Sequence, residues 1–159
     1  MQRTALFWYI IKKYMSAHTI AQILINCFKN GNFLYLCGNG GSYDLARHME
    51  EEFLCKFIHW RQPLPALAFK AHTSISNDLG YQSVFSRQVE AFGRKGDVLI
   101  GISTSGLSEN VNNALSRAEE MGLTTIDFPR QGETTAKIQE YQLQLMHEVC
   151  KLVEEEFIP

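Results

Sequence analysis

Apolar positions recur along this chain with two distinct periods. From Ile10 through Tyr14, Ile20, Ile23 and Leu24 to Phe28 the spacing is helical. It predicts a helix over residues 4–29, divided in two near Ser16-Ala17-His18 and closed by Gly31. Beyond it, short apolar runs at residues 33–37, 64–69 and 98–102 have the length and character of buried parallel strands, and Thr124-Thr125-Ile126-Asp127-Phe128 reads as a fourth, shorter one. Helical patterns separate or succeed them, at residues 42–54, 84–92, 108–121 and 137–157. Phe85, Val89 and Phe92 share one face of the second; Val111, Leu115 and Ala118 point inward from the third; Ile138, Leu145, Val149 and Val153 do so from the last. Residues 55–65 read as a connecting loop, 72–82 as a polar irregular stretch and 129–135 as a further loop. Strands alternating with helices imply a parallel sheet of four or five strands covered on both faces, a three-layer α/β sandwich. The pattern predicts one domain over residues 1–159, with an N-terminal helical segment at 1–30 and the sandwich core at 33–157.

The most informative junction lies where the first strand gives way to the second helix. Leu34-Tyr35-Leu36-Cys37 breaks at once into Gly38-Asn39-Gly40-Gly41-Ser42, a turn that residues without a Cβ can make tightly. Ser42 is the expected N-cap of the next helix, with Asp44 in its first turn, where the helix dipole favours a carboxylate. Main-chain N–H groups converging on such a turn suit a phosphate. A second junction of this kind is Gly101-Ile102-Ser103-Thr104-Ser105-Gly106-Leu107-Ser108. Two such turns meet at the carboxyl edge of a parallel sheet, where ligands of these folds bind. Further along the first of these helices, His48 and Glu52 are four apart and share a face. By themselves they are more often a solvated ion pair than metal ligands, and Glu50 and Glu51 beside them fit a charged face.

Composition narrows the field. Of 159 residues, 45% are hydrophobic and 20% charged, the balance of a folded globular chain rather than a disordered one. A net charge of −2 gives no general attraction to nucleic acid or to an anionic membrane, so a bound phosphate would be held by local dipoles and a few cations. The apolar run at residues 6–11 is followed by Lys12 and Lys13 and is too short for a membrane span. Four cysteines lack CxxC spacing, and Cys27, Cys37 and Cys150 lie in apolar runs as small buried hydrophobes. A reducing, cytoplasmic compartment is expected.

At these residues the sequence resembles the sugar isomerase (SIS) domain family, and within it the phosphoheptose isomerases. The resemblance rests on Gly38-Asn39-Gly40-Gly41-Ser42 with His48 and Glu52, on Asn77-Asp78, and on residues 85–91 and 96–99. It continues through residues 101–106, then Ile138-Gln139-Glu140 and His147, covering about residues 33–155. It implies a flavodoxin-like sandwich in which Ser42, Ser103, Ser105 and Ser108 hold a sugar phosphate, with Asn39, Gly40, Gly41 and Thr104 beside them. Asn77, Asp78, Glu52 and Gln139 would also contact substrate. It implies one zinc ion per subunit on His48, Glu52, Gln139 and His147, and a homotetramer with sites at subunit interfaces. The implied reaction converts sedoheptulose 7-phosphate to D-glycero-D-manno-heptose 7-phosphate for surface polysaccharide, with Glu52 as base and His147 as acid. Zinc would polarise the carbonyl.

Gln139 and His147 are eight apart, about 12 Å along a regular helix. Either Gln139 lies at a frayed helix start or the pair is split between subunits. The chain also departs from the family pattern. Leu107 stands where Asn is common, Ala136 replaces a polar residue, and the segment at residues 128–137 is short, so the sheet is expected to lack a final strand. The N-terminal helical region is abbreviated as well.

Two other classes remain for comparison. One is a non-catalytic SIS protein that binds a sugar phosphate or a replication initiator; that branch lacks the Glu and His that this chain keeps. The other is a dinucleotide-dependent oxidoreductase, against which stands the absence of GxGxxG spacing and of an acidic residue after a second strand.

Overall fold

A computed structural model of the chain describes residues 15–159. The expected helical start at residues 4–14 lies outside them. Helix α1, Ala17–Lys29, begins at the predicted division: Ser16 is its N-cap, its hydroxyl accepting from Thr19 N at 3.2 Å. Ile20, Ala21, Leu24, Ile25 and Phe28 form its buried stripe. Then come β1 (Leu34–Gly38), α2 (Gly41–Leu54), β2 (Ala66–Ala68), α3 (Thr73–Leu79) and α4 (Ser86–Phe92). The chain continues with β3 (Val98–Ile102), α5 (Glu109–Glu120), β4 (Thr124–Asp127) and α6 (Thr135–Glu155).

All four strands are parallel, in the order β2-β1-β3-β4. Side chains alternate across the sheet as a pleated strand requires. Leu34 and Leu36 of β1 join Ile20, Leu24, Met49, Phe53, Met146 and Val149 on one face, under α1, α2 and α6. Tyr35 and Cys37 join Phe69, Phe85, Val89, Val111 and Ala114 on the other, under α4 and α5. The expected three-layer sandwich is therefore present.

The order reverses between β1 and β3, whose connections leave in opposite directions. At such a switch point the loops beyond the strands diverge and leave a crevice. Gly38 is in register with Ile102, so the turns that start at Asn39 and Ser103 leave the sheet level with each other.

Several local expectations change. Helix α2 starts at Gly41 rather than after Ser42, because Gly40 takes a positive φ of 52° that lets the chain turn one residue earlier. Ser42 is thus a buried residue of the first turn, not the N-cap. The stretch expected to be irregular contains α3 and a short 3-10 turn, Tyr81–Ser83. No residue of α3 is buried, so it carries no apolar stripe for periodicity to reveal. Phe92, expected inside, is half exposed, tilted against Phe69 with ring centroids 6.2 Å apart. At the acidic end of α6, Glu154 is buried.

Candidate active site

Two clusters lie at the carboxyl edge of the sheet and along the groove between α2 and α6. The first is the hydroxyl turn after β3. Ser103 Oγ accepts from Gly106 N at 3.0 Å and lies 3.2 Å from Ser108 Oγ and 3.4 Å from Ser105 Oγ. Ser105 Oγ in turn accepts from Leu107 N at 3.0 Å. Ser108 occupies the N-cap position of α5, yet its hydroxyl turns to Ser103 instead of capping the helix. Thr104 stands between these serines, half buried.

The two turns are tied together by side chains. Asn39 and Asn110 exchange two amide hydrogen bonds of 2.9 Å, and Tyr81 Oη donates to Asn39 Oδ1 at 2.8 Å. Asn110 Oδ1 also accepts from Val111 N at 3.0 Å. Neither Asn110 nor Tyr81 was anticipated from sequence. Asn110, buried two residues into α5, gave no signal beyond its closeness to the serine turn. Arg130 is a third unforeseen member. Its guanidinium pairs with the Asp127 carboxylate, donates to Ser103 O at 3.3 Å, and packs on the face of Gly106. It sets a positive charge against the hydroxyl turn. Asn77 and Asp78, by contrast, sit exposed on α3, where Asn77 bonds to Asp78 at 2.8 Å rather than to either turn.

The second cluster is built from helix faces. His48 Nε2 lies 3.0 Å from Glu52 Oε1, one turn on along α2. His147, from α6, meets the His48 ring edge-on at 5.3 Å between centroids, and its other neighbour is Phe57 at 5.5 Å. One potential ligand atom from each of His48, Glu52 and His147 lies within 4.8 Å of the others. Two imidazoles and a carboxylate suit zinc, and three protein ligands leave a coordination position open, as catalytic sites do.

Gln139 lies toward the other end of the groove, beside Gly41. Helix α6 is continuous from Thr135, with Thr134 capping it, so Gln139 lies in a formed turn and the frayed-start expectation does not hold. Its amide covers Gly41, where a Cβ would come within 2.5 Å of Nε2. Gly41 facing Gln139, and His48 facing His147, means that α2 and α6 run side by side in the same direction. Gly41 and His48 are seven residues apart, about 10 Å on a helix. Both ends line one groove of about 260 Å³, together with Ser42 and Gln142.

A buried ion pair supports the cluster from below. Glu154 accepts from the N–H groups of Phe57, Ile58 and His59 at 2.8, 2.8 and 3.0 Å. Burial pushes its carboxyl upward, but those three amides, with Arg61, outweigh that and hold it below the usual carboxylate range. Arg61 Nη2 donates to Glu52 O at 2.7 Å and Nη1 to Phe53 O at 2.8 Å, so a cation closes the carbonyl end of α2. The pair therefore fixes both the helix end bearing Glu52 and the loop that lays Phe57 against His147.

The SIS domain model matches residues 11–128, well over half of the chain. The chain belongs to the SIS domain family. It is 44% identical over 158 residues to a phosphoheptose isomerase of Clostridium acetobutylicum, covering 87% of this chain and 81% of that protein. Among solved structures, a phosphoheptose isomerase from Neisseria gonorrhoeae is similar with a TM-score of 0.78 and 32% identity, covering 97% of both chains. Another, from Francisella tularensis, reaches a TM-score of 0.83 at 26% identity, covering 96% of this chain and 94% of that one. Membership confirms the fold expected from the pattern of strands and helices. No helix among the described residues is long and apolar enough to cross a membrane.

Proposed function

We propose that this chain is a zinc-dependent aldose–ketose isomerase converting sedoheptulose 7-phosphate to D-glycero-D-manno-heptose 7-phosphate. The observation that carries the reading is the His48–Glu52–His147 cluster, whose His48 lines one groove with Gly41 and Ser42 of the first of two phosphate-suited turns. The names borne by its relatives support the same reaction. In this reading Ser42, Ser103, Ser105 and Ser108 hold the phosphate, with Thr104, Asn39, Gly40 and Gly41 beside them. Anchoring the far end of the sugar lets binding energy position the reacting carbons.

Glu52 removes the proton from C1 of the ketose and returns it at C2, while His147 carries the hydroxyl proton from O1 to O2. The intermediate is an enediol, and no electron acceptor is needed. A zinc ion on His48, Glu52 and His147 supplies, when bound, Lewis-acid polarisation of the carbonyl. Glu52 has two carboxylate oxygens, which allows it to serve as ligand and as base. Gln139, over Gly41, contacts the sugar chain; it serves as a zinc ligand only if donated to another subunit's site.

The same reading takes the whole chain as one SIS domain, acting in the cytoplasm to supply heptose for surface polysaccharide. It also takes the enzyme as a homotetramer. The exposed side chains of Leu54, Ile58 and Trp60, on and just beyond the end of α2, favour association beside the site. Turnover of sedoheptulose 7-phosphate by the purified protein, followed by NMR with zinc and with chelator, tests the proposal. Aldose product that disappears on chelation is expected. Sugar-phosphate binding without turnover would instead favour a regulatory SIS protein.

A further inference from the structure

One polar group in the groove between α2 and α6 has incomplete hydrogen bonding. Gln142 is wholly buried, and its Nε2 donates to Ser103 O at 3.4 Å and Pro129 O at 3.3 Å. Exchanging the two ends of the amide would set Oε1 against two carbonyl oxygens, so its orientation is determined by its neighbours. Oε1 is buried and has no donor among the described residues. Buried acceptors in folded proteins are almost always satisfied, and leaving one bare is costly.

The place of this acceptor is as informative as its need. Gln142 touches the serine turn through Ser103 O and lines the groove that Gly41, Ser42, Gln139 and His48 share. Along α6 it falls between Gln139 and His147. A sugar phosphate stretched from the turns to the catalytic cluster has chiefly hydroxyl groups to offer at that point, and a hydroxyl is the donor that Oε1 lacks.

We propose that Gln142 Oε1 accepts a hydrogen bond from a hydroxyl of the bound sugar, on C4, C5 or C6, and so determines specificity along the sugar chain. This rests on the sugar-phosphate reading above. A site built to accept from a substrate hydroxyl discriminates against the analogue that lacks it, because the buried acceptor is then left unpaired.

The test is calorimetric, on the full chain, with the seven-carbon polyol 7-phosphate and its analogues lacking one hydroxyl at C4, C5 or C6. The wild-type protein should bind at least one analogue about tenfold or more weakly than the parent polyol. In Gln142→Met that difference should shrink to within about threefold. Gln142→Glu, whose buried carboxyl stays protonated and keeps an accepting oxygen, should retain the discrimination.

Should Gln142→Met fail to fold, the wild-type protein still decides. Its Gln142 side-chain carbonyl ¹³C resonance should shift on adding the polyol phosphate and not on adding inorganic phosphate. Discrimination that survives in Gln142→Met, equal binding of all analogues by the wild type, or a resonance that stays still overturns the assignment. Failure of the parent polyol to bind at all would remove the sugar-phosphate reading along with it.

Discussion

The two ends of the candidate site are built in different ways. The phosphate-suited end is made of two short contiguous turns, each leaving a strand, with neutral hydroxyls and amides already bonded to one another. The other end gathers His48 and Glu52 from one helix and His147 from another, and rests on a buried Arg61–Glu154 pair. One end depends on local backbone geometry; the other depends on the packing of α2 against α6. Damage to the first should weaken binding with little effect on the chemical step. Damage to the second should stop the chemical step and leave phosphate affinity in place.

The largest effect is expected from the proposed base. Glu52→Gln should lower kcat by roughly 10² to 10⁴, the usual worth of a positioned base. Its affinity for inorganic phosphate, measured by calorimetry, should not change. Chelator treatment should produce a comparable loss, reversed by added zinc.

A stability effect comes next, and it tests whether the helix-built end needs its support. Glu154→Gln leaves Arg61 without its buried partner, which costs on the order of 3–5 kcal/mol. For a chain of this size that lowers Tm by roughly 10 °C in a calorimetric scan. The pH dependence has a definite sign. The folded carboxyl of Glu154 lies below its unfolded value, so its contribution is present above the ordinary carboxylate range and lost as pH falls through the lowered folded value. The wild-type protein should therefore lose stability in acid below about pH 4, and the variant should lose less over the same interval.

Smaller changes sharpen the other side of the comparison. Asn110→Ala removes the link between the two turns and should raise KM about tenfold while kcat stays within about twofold. Tyr81→Phe deletes one exposed hydroxyl bond to Asn39 and should raise KM by no more than about fivefold. The least perturbing probe is a thiol reagent. Burial pushes Cys27 and Cys37 up to about 12 and raises Cys150 as well, whereas Cys55 is exposed. At neutral pH only Cys55, beside the helix-built end, should react in the folded protein.

The same contrast explains what could be read from the sequence. Strands, helices and both turns were legible because each is a contiguous pattern, and so was the shared face of His48 and Glu52. Their partner His147 entered only through resemblance, since no spacing rule connects α2 to a helix so far along the chain. In the sequence, Glu154 is one of three consecutive acids, a run that reads as a solvated helix end. Folding brings the amides of Phe57, Ile58 and His59 to it, and nothing local marks that meeting. Asn110 and Tyr81 were hidden for the same reason, and α3 because it buries nothing. The early start of α2 turned on the positive φ of Gly40, which placed Ser42 inside the helix.

The division of labour between the two ends is tested most directly by measuring turnover and inorganic phosphate affinity side by side, in wild-type, chelated and Glu52→Gln protein. Turnover should fall by at least about two orders of magnitude in the last two. Phosphate affinity should stay within about twofold across all three. A parallel collapse of affinity and turnover would contradict the account, because it would make the helix cluster part of the phosphate site.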